Sequence, residues 1–262
     1  MAHRLGTKSR DAPIIACFLT RNDKVKVLKK KQLFRNDGIL VQEDFPPEVV
    51  QRRRKFSLVL AAAYKSQGKY KAFLSVDKLV LNGKVYSHND LDKLPIDLQP
   101  STLSTVTKDN ITAFFSSFSV FSNHYPCALT TGEGEFTSVE QYYMYQKANH
   151  FGDHVSASAI RDTSDPVAAK TLGKQIKGFK VKEWNEVRDQ YMQVGVSAKF
   201  EQNSDLAQLL KGTGTAALVE ANRSDTYWGA GISLESEDLW NPSKWKGKNK
   251  LGTMLKELRD SM

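Results

Sequence analysis

Two side chains in residues 137–148, the carboxylate of Glu140 and the amine of Lys147, have the types and the spacing to share a chemical site. Ser138 can cap a helix that begins there, and Gln141 three residues later can complete a capping box. Seven residues cover almost two turns, so both side chains lie on one helix face, roughly 10 Å apart along the axis. Glu140 is also in the first turn, where the helix dipole favours an ionised carboxylate. A half-buried helix with an N-terminal glutamate gives the same pattern, so this helix alone leaves both interpretations open.

The elements predicted around this helix follow from local signals. A short apolar strand at residues 111–116 and a hairpin-like segment at residues 127–136 precede it. Downstream, Asp165-Pro166 supplies a cap and a first helical position. Residues 182–200 carry apolar side chains at spacings of three and four, which predicts an amphipathic helix. The remaining predicted elements are a short helix at residues 204–210, a strand at residues 217–220 and a terminal helix ending near Arg259.

The positive charge of the chain is concentrated in its first part. Residues 1–110 hold 21 Lys and Arg against 11 Asp and Glu, a net charge of +10, whereas residues 111–262 hold 17 against 18. Basic surfaces attract phosphates without regard to sequence, so the first part is expected to bind a polyanion. A solvated surface explains the same balance. The length of 262 residues fits one large domain or two smaller ones.

Composition excludes several classes of site. The sequence contains no run of 18 or more apolar residues, so no membrane span is predicted. The basic N-terminal residues 1–10 have no apolar signal-peptide core. Two distant cysteines, Cys17 and Cys127, and five scattered histidines show no metal-ligand spacing. We therefore expect an intracellular protein, cytoplasmic or nuclear, that is reduced and uses no metal or cofactor.

Residues 1–95, here called the basic module, combine short apolar runs, basic helices and an Asn82-Gly83 hairpin signal. The segments PIIACFL, DKVKVLKK, GILVQEDFPPEVVQRRRKF and AFLSVDKLVLNGKVYS resemble, in this order, the end of the open reading frame 1 protein of LINE-type retrotransposons. That family binds single-stranded nucleic acid through basic side chains that follow the phosphates. The resemblance implies binding of single-stranded RNA or DNA here, with phosphate contacts from Arg52, Arg53, Arg54 and Lys55.

Residues 96–110 are rich in Ser, Thr, Pro, Asp and Gln and show no periodicity. This composition predicts a linker between the basic module and a second domain at residues 111–262.

Residues 111–262 carry six motifs in one order: FFSS with FSNHYP, TSVEQYYMYQKA, SDPVAAKTLGKQIK, WNEVRDQYMQVGVSAKFEQN, LVEANRSDTYWG and GKNKLG. In type and order they resemble the NADAR (YbiA-like) family. The resemblance implies an α+β domain, mainly helical with a small sheet, preceded here by a small basic α+β module. It also implies hydrolysis of an N-glycosidic bond to ribose. The substrates it implies are ribosylamino-pyrimidine phosphates of riboflavin synthesis or ADP-ribose attached to guanine in nucleic acid.

The resemblance assigns roles that suit this chemistry. Breaking a C–N bond at the anomeric carbon builds positive charge on the ribose, which the Glu140 carboxylate would stabilise. Lys147 would bind phosphate or form a Schiff base with the opened ribose. Asp225 would bind ribose hydroxyls, although it equally suits a loop cap. The substrate-binding candidates, each open to a plain turn or core role, are Asn123, Tyr143, Trp228, Gly229, Asn249 and Gly252.

The chain departs from the family pattern after Gly229. Ala230 stands where an acidic residue is expected, and residues 234–245 are an insertion. The insertion is expected to reshape the approach to the site. The alternative is therefore a different class of function, namely a non-catalytic protein that binds ADP-ribose or nucleic acid.

Overall fold

The computed structural model describes residues 45–262 and, before them, residues 2–4, 14–16, 21–30, 33 and 43. Strand β1 (Ala2–Arg4) pairs antiparallel with β2 (Ile14–Ala16), and α1 spans Arg21–Lys29. The apolar run at residues 38–43 predicts a further strand, which lies outside the described residues apart from Glu43. Cys17 also lies outside them.

The described part of the basic module contains a helix pair and a three-stranded antiparallel sheet. The sequence after Asp44 predicts one helix that carries Arg52–Lys55 and has Phe56, Val59, Leu60 and Ala63 as its apolar positions. The structure has two helices instead, α2 (Pro47–Arg54) and α3 (Ser57–Lys65), because the chain breaks at Phe56, which is fully buried. The strands are β3 (Ala72–Ser75), β4 (Lys78–Leu81) and β5 (Lys84–Tyr86). Asn82 and Gly83 both have positive φ, 49° and 84°, as a two-residue hairpin turn requires, and this confirms the predicted hairpin.

Residues 96–110 are regular in structure, which differs from the irregular linker that was predicted. Helix α4 (Pro100–Leu103) is followed by β6 (Thr105–Lys108), which pairs antiparallel with β7 (Ile111–Phe114). The turn between the strands is made by Asp109 and Asn110, both with positive φ, 51° and 58°. Asp and Asn tolerate that conformation, so they were the overlooked hairpin signal. The domain boundary itself stays a prediction.

A small sheet and a set of helices form the second domain, an α+β arrangement of the predicted class. Central strand β7 pairs with β6 on one side and, in parallel, with β10 (Ala217–Glu220) on the other. Strands β8 (Leu129–Thr131) and β9 (Gly134–Phe136) form the hairpin before the first long helix. The helices are α5 (Val139–His150), α6 (His154–Arg161), α7 (Pro166–Gly173), α8 (Val181–Glu201), α9 (Ser204–Lys211) and α10 (Lys250–Ser261), of which only α6 was not predicted.

Both faces of the sheet are covered. Phe114 and Leu218 join the main helical core on one face. On the other face Ala113 and Val219 pack in a second core with Leu239 of the insertion. Trp240 and Trp245 pack against that core as well. The insertion therefore closes the back of the sheet, where its apolar side chains are buried, and its residues do not line the cavity described next. Ala230 is fully buried in the same core, which suits a small apolar side chain better than an acid.

Candidate active site

The start of α5 is fixed by hydrogen bonds that position Glu140. Ser138 Oγ accepts from the Gln141 N–H at 3.1 Å, as the capping prediction requires. Gln141 does not complete the box with Ser138. Its Oε1 accepts from the Thr137 N–H at 2.7 Å, and its Nε2 donates to three carbonyl groups at the end of α6, those of Ile160, Arg161 and Thr163. The Glu140 N–H donates to the Asn123 carbonyl at 3.0 Å, which ties the helix to the loop before it.

A cavity of about 460 Å³ opens at this end of α5. Its titratable lining comes from five separate positions in the sequence: His124, Glu140, Lys170, Glu220 and Asp225. The neutral polar lining is Ser116, Ser117, Ser122, Asn123 and Asn222. The apolar and aromatic lining is Phe115, Tyr143, Met144, Val167, Met192 and Trp228. A concave site with a few convergent charged groups and an aromatic wall is typical of a small-molecule site.

Glu140 is a buried acid with two basic neighbours and an incomplete set of hydrogen bonds. It is 4% exposed, and its Oε1 makes no hydrogen bond within the described chain. Lys170 Nζ lies 3.8 Å from Oε1, and His124 Nε2 lies 3.4 Å from Oε2. Burial lowers the pKa of His124 below its usual 6.5, so this imidazole is neutral at pH 7. An oxygen buried at a cavity wall without a donor is available to a ligand.

A second carboxylate, that of Glu220, lines the cavity from the carboxyl end of β10. Burial, followed by the negative charge of Asp225, raises its pKa from 4.5 to about 7. Near neutral pH it is therefore partly protonated, so it can supply a proton. From the sequence, Glu220 is predicted only as the last residue of a strand. The signal that could have singled it out is its place at the end of a parallel strand, where α/β sheets bind ligands.

Asp225 lines the cavity and also caps its own loop. Its Oδ1 accepts from the backbone N–H groups of Tyr227 and Trp228, at 2.9 and 2.8 Å. The loop-cap alternative is therefore present. The capped turn brings the half-buried Trp228 ring to the cavity, 5.7 Å from Tyr143 and nearly perpendicular to it. Tyr143 is 4% exposed, so these two rings form a fixed aromatic wall.

Lys147 does not line the cavity, although it lies on the same helix as Glu140. Its Nζ donates to the Gly173 carbonyl at 2.8 Å and lies 4.0 Å from the centre of the Phe179 ring. Burial lowers the pKa of this half-buried amine. Helices α5 and α7 meet closely here, since a Cβ on Gly173 would lie 2.1 Å from Met144 Sδ. The observed position is that of a cap on the last turn of α7, and a chemical role for Lys147 stays a prediction.

Three predicted ligand contacts do not line the cavity but shape the backbone behind it. Asn249, with φ of 49°, accepts from the Glu220 N–H at 3.0 Å and donates to the Leu218 carbonyl at 2.9 Å. A Cβ on Gly252 would lie 1.9 Å from the same Leu218 oxygen, and one on Gly229 would lie 2.9 Å from the Glu220 oxygen. These residues therefore hold β10 against α10. Asn123 does line the cavity, with Nδ2 3.2 Å from Met192 Sδ.

The four basic residues at the end of α2 differ in their surroundings. Arg52 Nε pairs with Asp77 Oδ2 at 2.6 Å. Arg53 donates to the Val76 carbonyl and stacks 4.4 Å from the Phe45 ring centre. Arg54 and Lys55 are exposed. Arg52 and Arg53 thus hold the helix pair to the β3–β4 turn, and Arg54 and Lys55 are better placed to contact phosphate.

Two classes of site are absent from the part of the chain that the structure describes. In residues 45–262 and the short stretches before them, no three His, Cys, Asp or Glu side chains are placed to hold a metal ion. No helix of the described residues has the length and apolar character that crossing a bilayer requires.

Comparison with known proteins gives matches to the second domain. A family model described as the NADAR domain matches residues 109–262. An N-glycosidase of Acanthamoeba polyphaga mimivirus is 36% identical over 126 residues, which are 48% of this chain and 74% of that protein. The N-glycosidase YbiA of Escherichia coli K12 is 33% identical over 160 residues, 60% of this chain and 91% of that protein.

A further relative and a solved structure are also similar to this chain. A riboflavin biosynthesis protein of Vibrio vulnificus is 29% identical over 141 residues, 54% of this chain and 35% of that protein. The NMR structure of Escherichia coli YbiA aligns with a TM-score of 0.49 at 32% identity, covering 62% of this chain and 89% of that one.

Proposed function

The chain belongs to the NADAR family, and from that premise we propose that it is an N-glycosidase acting on a ribose that carries a phosphate. Relatives named N-glycosidases support a hydrolase of N-glycosyl bonds. The observation that carries the proposal for this chain is the convergence of Glu140 and Glu220 on one cavity.

The two acids suit the two demands of the reaction. When the bond between C1′ of the ribose and the nitrogen breaks, its electron pair stays on the nitrogen. The proton of the Glu220 carboxyl goes to that nitrogen, and the buried Glu140 carboxylate stabilises the positive charge left on the ribose. Water then adds to C1′, and its proton returns to the Glu220 carboxylate. Two carboxyl groups in different environments are the arrangement that glycoside hydrolysis uses.

The raised pKa of Glu220 sets the sign of the pH dependence. Turnover requires its protonated form, so the rate falls as pH rises through about 7. Between pH 4.5 and about 7 the folded chain holds a proton that the unfolded chain has lost, so stability also falls as pH rises through this window. The difference between the two pKa values corresponds to roughly 3 kcal/mol.

The basic group in the cavity suits the phosphate of the substrate. Lys170 Nζ is near Glu140, and its side chain is 41% exposed. It is therefore open to the cavity, so it can pair with a phosphate as a point charge. Lys170 lies in the motif SDPVAAKTLGKQIK, and no role was predicted for it from the sequence. Lys147 stays a proposal for phosphate binding or for a Schiff base.

Among the substrates, we favour ADP-ribose attached to a guanine base in nucleic acid over a ribosylamino-pyrimidine phosphate of riboflavin synthesis. The basic module supports the first, since the net charge of residues 1–110 suits nucleic acid. The relative named for riboflavin biosynthesis supports the second. Incubation of purified protein with each substrate, followed by chromatography of the released base, separates them. Release from neither, with wild type and Glu140→Ala alike, would refute the glycosidase proposal.

A non-catalytic protein that binds ADP-ribose or nucleic acid is the second candidate. The loop-capping role of Asp225 favours it, since that carboxylate already accepts two backbone hydrogen bonds. The departure of the chain from the family pattern at Ala230 favours it as well. Titration calorimetry with ADP-ribose beside the turnover assay distinguishes the two. Tight binding without any product would establish the binder.

A further inference from the structure

A second cavity, also of about 460 Å³, adjoins the first and shares Ser117 with it. One wall comes from Lys55, which directly follows α2, and from Leu91, Asp92 and residues 99–101. The other wall comes from the loop at residues 115–126, which contributes Phe118, Tyr125 and Pro126. The opposite side of the same loop, including Asn123, lines the first cavity. The loop is therefore a partition with a cavity on each side.

The partition turns sharply where the cavities meet. Ser116 has a φ of 78°, a conformation that a non-glycine residue rarely adopts. Its Oγ accepts from the Phe118 N–H at 3.3 Å, which supports the turn. As a result Ser116 lines the first cavity, Phe118 lines the second, and Ser117 lies at the edge common to both. Because Ser117 lines both cavities, a ligand that extends past Ser117 from the first cavity would enter the second.

The second cavity has the chemistry of a nucleotide site. Phe118 and Tyr125 offer aromatic surface, and the same lining holds the ammonium group of Lys55 and the carboxylate of Asp92. Aromatic rings stack on any base, and a neighbouring lysine pairs with the phosphate attached to it. Gln99, whose Nε2 donates to the carbonyls of Asp92 and Leu94 at 2.8 and 3.1 Å, adds a fixed polar group.

We propose that the second cavity binds a second nucleotide that is covalently joined to the N-riboside in the first cavity. Its base stacks on Phe118 and Tyr125, and the phosphate that crosses near Ser117 pairs with Lys55. This inference rests on the proposed function and narrows its substrate class. The preferred substrate carries a second nucleotide through a pyrophosphate or a phosphodiester link, and a single phosphorylated riboside fills only the first cavity.

Titration calorimetry with the full chain and three probes tests the proposal. ADP-ribose carries a second nucleotide through pyrophosphate, the dinucleotide pApA carries one through a phosphodiester, and ribose 5-phosphate carries none. We expect at least one of the two longer probes to bind about tenfold more tightly than ribose 5-phosphate, as one added base stack allows. Phe118→Leu and Lys55→Ala should each reduce that ratio several-fold. Lys65→Ala, an exposed lysine on α3 outside the cavity, is the matched control.

The results distinguish the two kinds of link and can refute the proposal. Preference for ADP-ribose alone identifies the pyrophosphate link, and preference for pApA alone identifies the phosphodiester. Equal affinities for all three probes, or a ratio unchanged in both variants, overturns the proposal. Phe118 belongs to none of the three apolar cores of the described chain, so the leucine variant should fold. Because the ratio is measured without turnover, a chain that keeps the ratio but cleaves nothing refutes the glycosidase and not the second subsite.

Discussion

Replacing Glu140 by glutamine should separate its catalytic contribution from its structural one. The side chain is 4% exposed, and its Oε1 lacks a hydrogen bond in the described chain. Its nearest basic nitrogens are 3.4 and 3.8 Å away, distances longer than good charged hydrogen bonds. The folded state therefore gains little from this charge, and Glu140→Gln should leave the melting temperature unchanged or raise it. Stabilisation of the ribosyl cation does depend on the charge, and it is worth about 10²–10³ in rate, or roughly 3–4 kcal/mol.

The assay is release of free base at pH 6.5, followed by chromatography, with calorimetric melting of the same preparations. Glu135→Gln is the matched control, because Glu135 is an exposed glutamate on β9 and does not line the cavity. We expect Glu140→Gln to lose turnover by two to three orders of magnitude and Glu135→Gln to match wild type. Full turnover in Glu140→Gln would show that the charge is not used. A large fall in melting temperature would show that the carboxylate serves the fold instead.

Four other variant proteins test the remaining assignments. Glu220→Gln should remove the fall in turnover above about pH 7, and it should flatten the loss of stability between pH 4.5 and 7. Both are measured in a pH series beside wild type. If turnover of the variant still falls above pH 7, Glu220 is not the acid. Lys147→Arg should keep turnover, since arginine can donate to the Gly173 carbonyl. Lys147→Ala should lower the melting temperature. If both variants lose turnover and borohydride traps an adduct in wild type, the Schiff base is favoured. The double change of Arg54 and Lys55 to alanine should reduce the salt slope of single-stranded RNA binding by roughly 1.4, because each contact to a single strand contributes about 0.7. Stability should not change, and an unchanged slope would remove these residues from the interface.

Local signals were enough to predict many of the elements that carry the site. The Ser138 cap, the Asp165-Pro166 helix start and the spacing of apolar residues in α8 each act within a few residues. The Asn82-Gly83 turn belongs to the same class. Such signals are independent of the rest of the chain, which is why a single sequence reveals them. The Asp109-Asn110 turn was overlooked because the residues before it, 96–108, are largely polar and β6 is only four residues long.

Which residues line the cavity depends on contacts between segments that are distant in sequence. Glu220 and Lys170 reach Glu140 only because β10 pairs with β7 and α7 packs on α5. Helical spacing placed Lys147 on the Glu140 face, but spacing carries no information about what covers each turn. The end of α7 covers the second half of that face, and the Gly173 carbonyl takes the amine. The sequence therefore indicated the helix and not the extent of the cavity along it.

The bond from Asn249 to the Glu220 backbone has a consequence for synthesis of the protein. Strand β7 is made early, whereas its parallel partner β10 follows about a hundred residues later, and β10 is held by Asn249 at the start of the last helix. Pairing of this kind is slow and cannot precede translation of the later segment. A nascent chain that stops before residue 249 would thus present Glu140 on a formed helix with its partner acid still unanchored. The chain would therefore be inactive on the ribosome and become active only after α10 has packed against β10.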